Sequence, residues 1–281
     1  MRLAPVAVER VAVTALWIMA AITVGLLFFI IAFILARGLP HISWEFLTES
    51  PAKMGREGGI SPMIVASGLV ASLAVLIAAP IGVATAVYLT EYTREGRATT
   101  TIRFGADCLA GIPSIIYGLF GFVFFAITLG LGLSVISGAL TLALMVLPTI
   151  IRTSEEAIRA VPYAYREVSY GLGSTRWQMV TRVVLRSALP GIVTGIVLSL
   201  ARAIEETAAV LLTAGSALRM PYSLFDSCRT LPLHFYLLAR EGISMEKAYA
   251  TAAVLVIAIL AINFFAYWLM HRFIGKGGRH A

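Results

Sequence analysis

The feature that most constrains this chain is a set of long segments without a single charged residue. Four such segments contain 26, 33, 44 and 23 residues: Val11–Ala36, Gly58–Thr90, Cys108–Ile151 and Ala248–Met270. An α-helix needs about 20 apolar residues to cross the hydrocarbon core of a bilayer, which is about 30 Å thick. Each segment is therefore long enough to span a membrane, and the 44-residue segment is long enough to span it twice.

The composition also favours an all-α, membrane-spanning chain. Of the 281 residues, 59% are hydrophobic and 13% are charged, whereas a soluble domain has about 45–50% apolar and about 25% charged residues. A fifth apolar stretch, Ser187–Leu218, is interrupted only by Arg202, Glu205 and Glu206. With a turn at Gly130–Gly138, we predict six transmembrane helices at about 11–36, 62–90, 108–129, 137–159, 188–215 and 248–271. The first run is longer than the apolar region of a signal peptide, so we interpret it as an anchor helix.

The distribution of lysine and arginine predicts the orientation of the chain. With six helices both termini lie on one side, and this side carries 14 of the 22 basic residues, against seven in the opposite loops and one, Arg202, within a span. Loops rich in Lys and Arg stay in the cytoplasm. We therefore expect a multi-pass protein of a bacterial or archaeal cytoplasmic (inner) membrane with both termini in the cytoplasm. The net charge of +7 follows from this bias and gives no reason to infer binding of nucleic acid.

The sequence lacks the patterns that would indicate an enzyme or a metal site. No glycine-rich loop leads into Lys-Ser or Lys-Thr, so we expect no nucleotide to bind to this chain. The four histidines do not have the spacing of metal ligands. Cys108 and Cys228 fall on opposite sides of the predicted bilayer and cannot pair. We predict no catalytic residue, no metal and no cofactor.

The predicted fifth helix carries three charges in its interior. Arg202 lies 14 residues beyond Ala188, which is about 20 Å into the membrane at about 1.5 Å per residue. A charge at this depth costs about 2.5–3.5 kcal/mol even on insertion scales, so it requires a partner or water. Glu205 and Glu206 follow Arg202 at i+3 and i+4, where either carboxylate can pair with the arginine. Two interpretations remain open: an ion pair that locks helices together, or the polar lining of a transport path or gate.

A stripe of small residues accompanies these charges on the same helix. Its members follow one another at a spacing of four: Gly191, Gly195, Ser199, Ala203 and Thr207. Such a stripe allows a second helix to approach closely. We expect the stripe and the adjacent charges to face a protein contact instead of lipid, and the stripe suggests that the chain associates with a sister chain.

The basic segment before the fifth helix contains a motif of defined spacing. Glu167–Ser169 is followed after three residues by Gly173, and after nine more residues by Val183 and Leu185. This spacing resembles the EAA loop of importer-type ABC permeases, whose pattern is Glu-Ala-Ala, three residues, Gly, nine residues and Ile-x-Leu-Pro. The two alanines of the pattern are replaced, and Arg186 stands at the position of the proline.

Four further segments are similar to one subgroup of these proteins, the PstA-type phosphate-uptake permeases. They are Ala79–Tyr92, Gly111–Gly121, Leu147–Pro162 and the Arg-Ala-x-x-Glu-Thr of the fifth helix, and the similarity covers about residues 58–273. The resemblance implies the type I ABC importer (MetI-like) permease fold and a subunit that forms half of a pathway for inorganic phosphate. Glu205 stands where the family commonly has Gly. This extra carboxylate leaves another oxyanion, such as molybdate, tungstate or sulfate, open as the substrate.

The resemblance also implies a complex. The other members are a sister permease that completes the pore as a heterodimer, two cytoplasmic ATPase subunits that bind and hydrolyse ATP, and an extracytoplasmic phosphate-binding protein. In such permeases the EAA loop forms a short helix that docks on the ATPase. We assign ATPase coupling to Tyr163, Tyr165, Arg166, Glu167, Val168, Tyr170 and Gly173, and a substrate path or gate to Arg202, Glu205 and Glu206.

Local signals in the loop agree with a short helix. Pro162 can start it, and Gly171 and Gly173 can end it. So short a helix is not stable alone in water and needs a partner surface. The next three arginines, Arg176, Arg182 and Arg186, fit equally well a segment that lies on anionic lipid, with Trp177 at the interface.

The chain divides into three predicted parts. Residues 1–59 form the anchor helix and the first external loop, residues 60–273 form the transmembrane domain with a coupling loop at about 155–187, and residues 274–281 form a cytoplasmic tail. A secondary transporter or channel without an ATPase is the more distant alternative function. Such a protein would not need a glycine-bounded helix on its cytoplasmic side.

Overall fold

A computed structural model of the chain describes residues 5–94 and 96–277. These residues form twelve α-helices: α1 Pro5–Gly38, α2 Trp44–Thr48, α3 Ser61–Val87, α4 Arg97–Ala110, α5 Ser114–Gly121, α6 Val135–Arg159, α7 Tyr163–Gly171, α8 Arg176–Met179, α9 Leu185–Glu205, α10 Ala208–Thr213, α11 Leu231–Arg240 and α12 Met245–Gly277. Strands β1 Pro51–Ala52 and β2 Glu57–Gly58 pair in antiparallel fashion in the first loop. Residues 278–281 of the predicted tail lie outside the described residues.

Three of the helices continue into π-helical segments, and the first loop contains two short 3-10 helices. The π segments are Tyr88–Tyr92 after α3, Phe122–Thr128 after α5 and Val180–Val184 between α8 and α9. The 3-10 helices are Leu39–His41 and Lys53–Gly55. Two of the three π segments lie at the predicted coupling loop: Val180–Val184 falls within it, and Tyr88–Tyr92 contacts it through Glu91. Such segments widen a helix locally and often occur at functional sites.

The described helices account for the six predicted spans. Five are long and apolar enough to cross a membrane: Ala12–His41, Ser61–Tyr92, Val135–Arg159, Arg176–Glu205 and Met245–Trp268. A sixth crossing is present if the bent pair Arg97–Ala110 and Ser114–Thr128 forms one span. The prediction of an all-α membrane bundle is confirmed, and the predicted fourth helix, 137–159, agrees with α6 within two residues.

The third span begins before the predicted helix 108–129 and is bent. Its two parts, α4 and the helical segment Ser114–Thr128, meet at an angle of 99°. Pro113 explains the bend, because proline lacks an N–H group and disfavours a helical conformation of the residue before it. Across the bend, the Tyr117 hydroxyl donates a hydrogen bond of 2.8 Å to the Leu109 carbonyl.

The fifth span also differs from its prediction, 188–215. The helical segment is Arg176–Glu205, so it begins earlier, where the Thr175 side chain caps its first turn. Glu206 leaves the helix with an extended conformation, φ −72° and ψ 131°, and Ala208 begins α10. The three intramembrane charges therefore lie at a helix break and not inside a continuous helix.

Helix α6 lies between two stripes of small residues. One stripe, on α3, repeats every four residues and is buried throughout: Ala66, Val70, Ala74, Ala78, Gly82 and Ala86. The other is the stripe predicted on the fifth helix. A Cβ atom at Gly191 would lie 2.7 Å from the Ala157 Cβ, and one at Gly195 would overlap the Thr153 side chain. The expected sister-chain contact of this stripe is thus corrected to a contact within the chain, because α6 already occupies it.

The first loop and α11 pack together at the end of the bundle opposite to α7. Gly55, with φ +94°, approaches the ring of His234 so closely that a Cβ atom would lie 2.9 Å from its Cε1. Burial and, to a smaller extent, the charge of Arg229 lower the pKa of His234 to about 4, so the ring is neutral at neutral pH. Burial raises the pKa of the Cys228 thiol to about 12, whereas Cys108 is exposed. Both cysteines are free, as predicted.

Gly195→Ala tests the close packing of α9 on α6. The added methyl group overlaps Thr153, so we expect the free energy of unfolding to fall by about 1–3 kcal/mol, measured as a lower midpoint of thermal unfolding in detergent. Gly68→Ala on α3 is the matched control, because a Cβ atom there meets nothing within 4 Å. The control should unfold at or above the wild-type temperature, since alanine favours a helix over glycine. An unchanged midpoint for Gly195→Ala would contradict the packing.

Candidate functional site

The helix break in the fifth span is capped by Glu206 itself. Its Oε1 accepts hydrogen bonds from the backbone N–H groups of Ala208, at 3.1 Å, and Ala209, at 3.3 Å. These groups begin α10 and have no partner within the helix. A carboxylate at this position is also favoured by the helix dipole. Glu206 therefore holds the second piece of the broken helix in place.

This cap separates Glu206 from Arg202. The i, i+4 spacing predicts an ion pair between them, but the chain leaves the helix at Glu206 and the carboxylate turns toward α10. Within the described residues, no ion pair joins Arg202 to Glu206 or to Glu205. Arg202 and Glu205 are exposed on the surface of the chain, whereas Ala203 and Ile204 between them are buried. Exposed charges within a span require water or a partner chain.

Helix α5 packs against the break. A Cβ atom at Gly118 would lie 2.8 Å from the Ala209 Cα, so the two backbones are in close contact. Tyr117, the residue before Gly118, is 5% exposed at this contact. Tyr117 was not among the predicted site residues. The bent third span and the broken fifth span thus meet at the charges.

Helix α7 forms where the loop signals predict it. Pro162 precedes its first turn, and Gly173 follows the helix with φ +80°. The Gly173 N–H donates to the Tyr170 carbonyl at 2.9 Å, and the Ser174 N–H donates to the Ser169 carbonyl at 3.2 Å. These two bonds are the Schellman motif, which requires a residue that tolerates positive φ. The helix boundaries predicted from Pro162 and the glycines are confirmed.

Helix α7 is open to solvent on every side except that of Arg166 and Ser169. Five of the predicted coupling residues are exposed on it: Tyr163, Tyr165, Glu167, Val168 and Tyr170. Leu172, directly after the helix, is 84% exposed and extends this surface. Between α7 and the π segment Val180–Val184 lies an apolar groove of about 450 Å³, with Val168, Leu172 and Val183 among its lining residues. Exposed aromatic and apolar side chains around a groove are typical of a protein-docking surface.

Arg166 differs from the other predicted coupling residues because it points into the bundle. Its side chain is 12% exposed and forms an ion pair of 2.7 Å with Glu91, whose side chain is 7% exposed. It also donates to the carbonyls of Val161, at 2.7 Å, and Ile158, at 3.1 Å. Arg166 therefore joins α7 to the π segment Tyr88–Tyr92 and to the end of α6.

A second group of charges joins α4 to α6 at the same end of the bundle. Glu155 lies 2.8 Å from Arg103 and 2.9 Å from Arg159, and Arg152 pairs with Asp107. These side chains line a cavity of about 350 Å³. No local pattern in the sequence indicates this cluster, because its partners are up to 52 positions apart.

Comparison with known proteins decides the family. Residues 78–276 match the family described as the inner membrane component of binding-protein-dependent transport systems. The chain belongs to this family. It is 34% identical over 268 residues to the probable ABC transporter permease protein YqgI of Bacillus subtilis, covering 90% of both chains. It is 38% identical over 225 residues to the phosphate transport system permease protein PstA 1 of Mycobacterium tuberculosis, covering 79% of this chain and 73% of the relative.

Solved structures agree with the expected type I importer fold. The methionine ABC transporter MetNI in inward-facing conformations matches with a TM-score of 0.60 and 20% identity, over 76% of this chain and 94% of the other. A bacterial alginate ABC transporter matches with a TM-score of 0.64 and 16% identity, over 93% and 97%. Together with the family, these matches confirm the resemblance to ABC importer permeases and the prediction of a multi-pass inner-membrane transport subunit that is not itself an enzyme.

Glu206→Ala tests the cap at the helix break. The N–H groups of Ala208 and Ala209 lose their acceptor, so we expect the free energy of unfolding to fall by about 1 kcal/mol, within the range of about 0.5–2 kcal/mol for lost caps. Glu206→Gln keeps an acceptor oxygen and should retain most of this stability. Glu205→Gln, at an exposed side chain, is the control. Thermal unfolding in detergent measures all three, and equal midpoints for Glu206→Ala and wild type would refute the cap.

Proposed function

We propose that this chain is a permease subunit of an ATP-binding-cassette importer for inorganic phosphate and forms half of its translocation pathway. The observation that carries the substrate assignment is the similarity to a phosphate transport permease, 38% identical over 225 residues. Arg202 supports it: within the described residues, this exposed cation in a membrane span has no carboxylate partner. Such a cation suits an anionic substrate.

The charges at the helix break have different roles in this proposal. Arg202 donates charge-assisted hydrogen bonds to oxygens of the passing anion. Glu205, on the same exposed surface, offsets the arginine charge when the path is empty. Glu206 forms part of a gate, because its carboxylate fixes the start of α10 and a change in this cap re-orients α10.

In the proposed complex, α7 docks on a cytoplasmic ATPase. Its exposed face and the apolar groove beside it supply the contact, with Tyr163, Tyr165, Val168 and Tyr170 as anchors and Glu167 as a polar contact. Gly173 lets the chain turn directly after the helix. The end of the bundle that carries α4, α7 and α8 is then cytoplasmic, as are both termini, in agreement with the bias of Lys and Arg.

The complex contains a sister permease, two ATPase subunits and an extracytoplasmic phosphate-binding protein. A sister permease accounts for the exposed Arg202 and Glu205, which cannot face lipid without a large cost. A binding protein is supported by the family description and by the alginate transporter, which has been seen in complex with an alginate-bound periplasmic protein. Glu205, at a position where the family commonly has Gly, leaves molybdate, tungstate and sulfate as the alternative substrates.

Arg202→Ala tests the anion path in the complete complex reconstituted in liposomes. Charged hydrogen bonds contribute about 1.5–3 kcal/mol, so we expect the rate of radiolabelled phosphate uptake to fall roughly tenfold to a hundredfold. Arg202→Lys should retain part of the rate, and Arg10→Ala, at an exposed residue of α1, should retain all of it. Normal phosphate uptake by Arg202→Ala would show that Arg202 is not part of the anion path. If the wild type takes up molybdate or sulfate instead of phosphate, that anion is the substrate and the assignment of phosphate is wrong.

Val168→Asp tests the docking face of α7. Val168 is 63% exposed beside the apolar groove, and a charge there should weaken ATPase binding roughly tenfold or more if it is an interface anchor. The amount of ATPase that co-purifies with the tagged chain measures the effect. Thr101→Asp, an exposed residue of α4 at the same end of the bundle, is the control for added charge. Normal co-purification with Val168→Asp would contradict docking at this face.

A further inference from the structure

Helix α7 has few apolar attachments to the rest of the chain. Of its nine residues, all described, only Ser169 is fully buried. The Ser169 hydroxyl contacts that of Ser174 at 2.6 Å, which closes the loop on itself without reaching a span. A helix that transmits force to the membrane needs a stronger connection than this.

The side chain of Arg166 supplies that connection. Its Nε and Nη2 donate to Glu91 Oε1 at 3.1 and 2.7 Å, and Nε also approaches Oε2 at 3.4 Å. Nη1 donates to the Val161 carbonyl, and Nη2 also donates to the Ile158 carbonyl. All three guanidinium nitrogens are therefore engaged, and their partners belong to the second span and to the end of the fourth span.

The partner segment on the second span holds both sides of the loop. Glu91 lies in the π segment Tyr88–Tyr92, and its neighbour Tyr92 lies under the guanidinium of Arg176, 5.2 Å from ring centroid to Cζ. Arg176 begins the helix that follows α7. Two adjacent residues of one π segment thus contact α7 on one side and α8 on the other.

Burial distinguishes this pair from the other ion pairs at the same end of the bundle. Arg152 and Asp107 are each about half exposed, as is Arg159 in its pair with Glu155, and Arg103 is 30% exposed in its pair with the same carboxylate. Water can replace a partner in such pairs, so they stretch or break at little cost. Arg166 and Glu91 lie largely out of water, and breaking a buried pair leaves an uncompensated charge. The pair is held together when α7 is displaced.

We infer that Arg166 and Glu91 are the positioning residues through which a displacement of α7 moves the second and fourth spans. This inference rests on the proposed coupling of α7 to an ATPase. Arg166 then acts on the bundle side of α7, whereas the exposed residues of α7 contact the ATPase. The sequence assigned Arg166 to the docking face, and its burial reassigns it to the opposite side.

The test measures phosphate uptake and ATP hydrolysis in the same liposomes, with the complete complex. The variants are Arg166→Gln, Glu91→Gln, the double variant and Arg166→Lys. Each single glutamine variant should still co-purify the ATPase but transport roughly tenfold less phosphate per ATP, because the buried pair is broken. The double variant leaves no unpaired buried charge. Its phosphate uptake per ATP should fall no further than that of either single variant, because the effects of substitutions at two paired residues do not add.

Arg166→Lys keeps the positive charge next to Glu91, so it separates a loss of coupling from a loss of folding. A lysine cannot reach the carboxylate and both carbonyls at once, so uptake per ATP should fall although the complex assembles normally. Arg97→Gln, at an exposed arginine on α4, is the control and should remain fully coupled. Wild-type coupling in Arg166→Lys, loss of ATPase co-purification in the single variants, or additive losses in the double variant would each overturn the inference. If the wild-type complex transports no phosphate or binds no ATPase, the proposed function itself is wrong, an outcome distinct from those of the variants.

Discussion

The close contact of α6 with α3 and α9 is the interaction on which the rest of the structure depends. In lipid, helix association relies on van der Waals packing, because apolar side chains gain little by leaving the hydrocarbon. The small residues of α3 and α9 bring both backbones against α6: a Cβ atom at Gly82 would lie 2.7 Å from Ile150, and one at Gly195 would overlap Thr153. These three helices form one body, and the other elements attach to it.

The charges lie where this close packing ends. The small-residue stripe of α9 is buried at Gly195, Ser199 and Ala203, and the helix breaks three residues later at Glu206. Up to this point α9 stays helical along α6, because an interruption would leave backbone groups without partners in lipid. At Glu206 the side chain supplies the missing acceptor for α10, so the break is tolerated there. The packed body and the break together fix the exposed position of Arg202.

The sequence was sufficient for features that depend on local chemistry and insufficient for those that depend on distant partners. Uncharged runs predict the spans, and Pro162 with Gly173 predicts the ends of α7, because each acts within a few residues. The i, i+4 rule failed at Arg202 and Glu206 because it presupposes a continuous helix. The pair of Arg166 and Glu91 spans 75 positions, which no local rule reaches. The stripe on the fifth helix predicted a close contact but not that α6 occupies it.

In the proposed importer, this arrangement connects the two ends of the molecule. Helix α7 is joined to the second and fourth spans through Arg166 and to the fifth span through the chain itself, so all three helices of the packed body share one attachment. The segment Arg176–Glu205 has 30 residues and carries a displacement over about 45 Å at about 1.5 Å per residue. A packed body transmits motion without deforming, so deformation falls on two interruptions outside it, the bend at Pro113 in the third span and the break at Glu206 after α9. These interruptions contact each other through Gly118 and Ala209, beside Arg202, which places the deformable point at the proposed anion path.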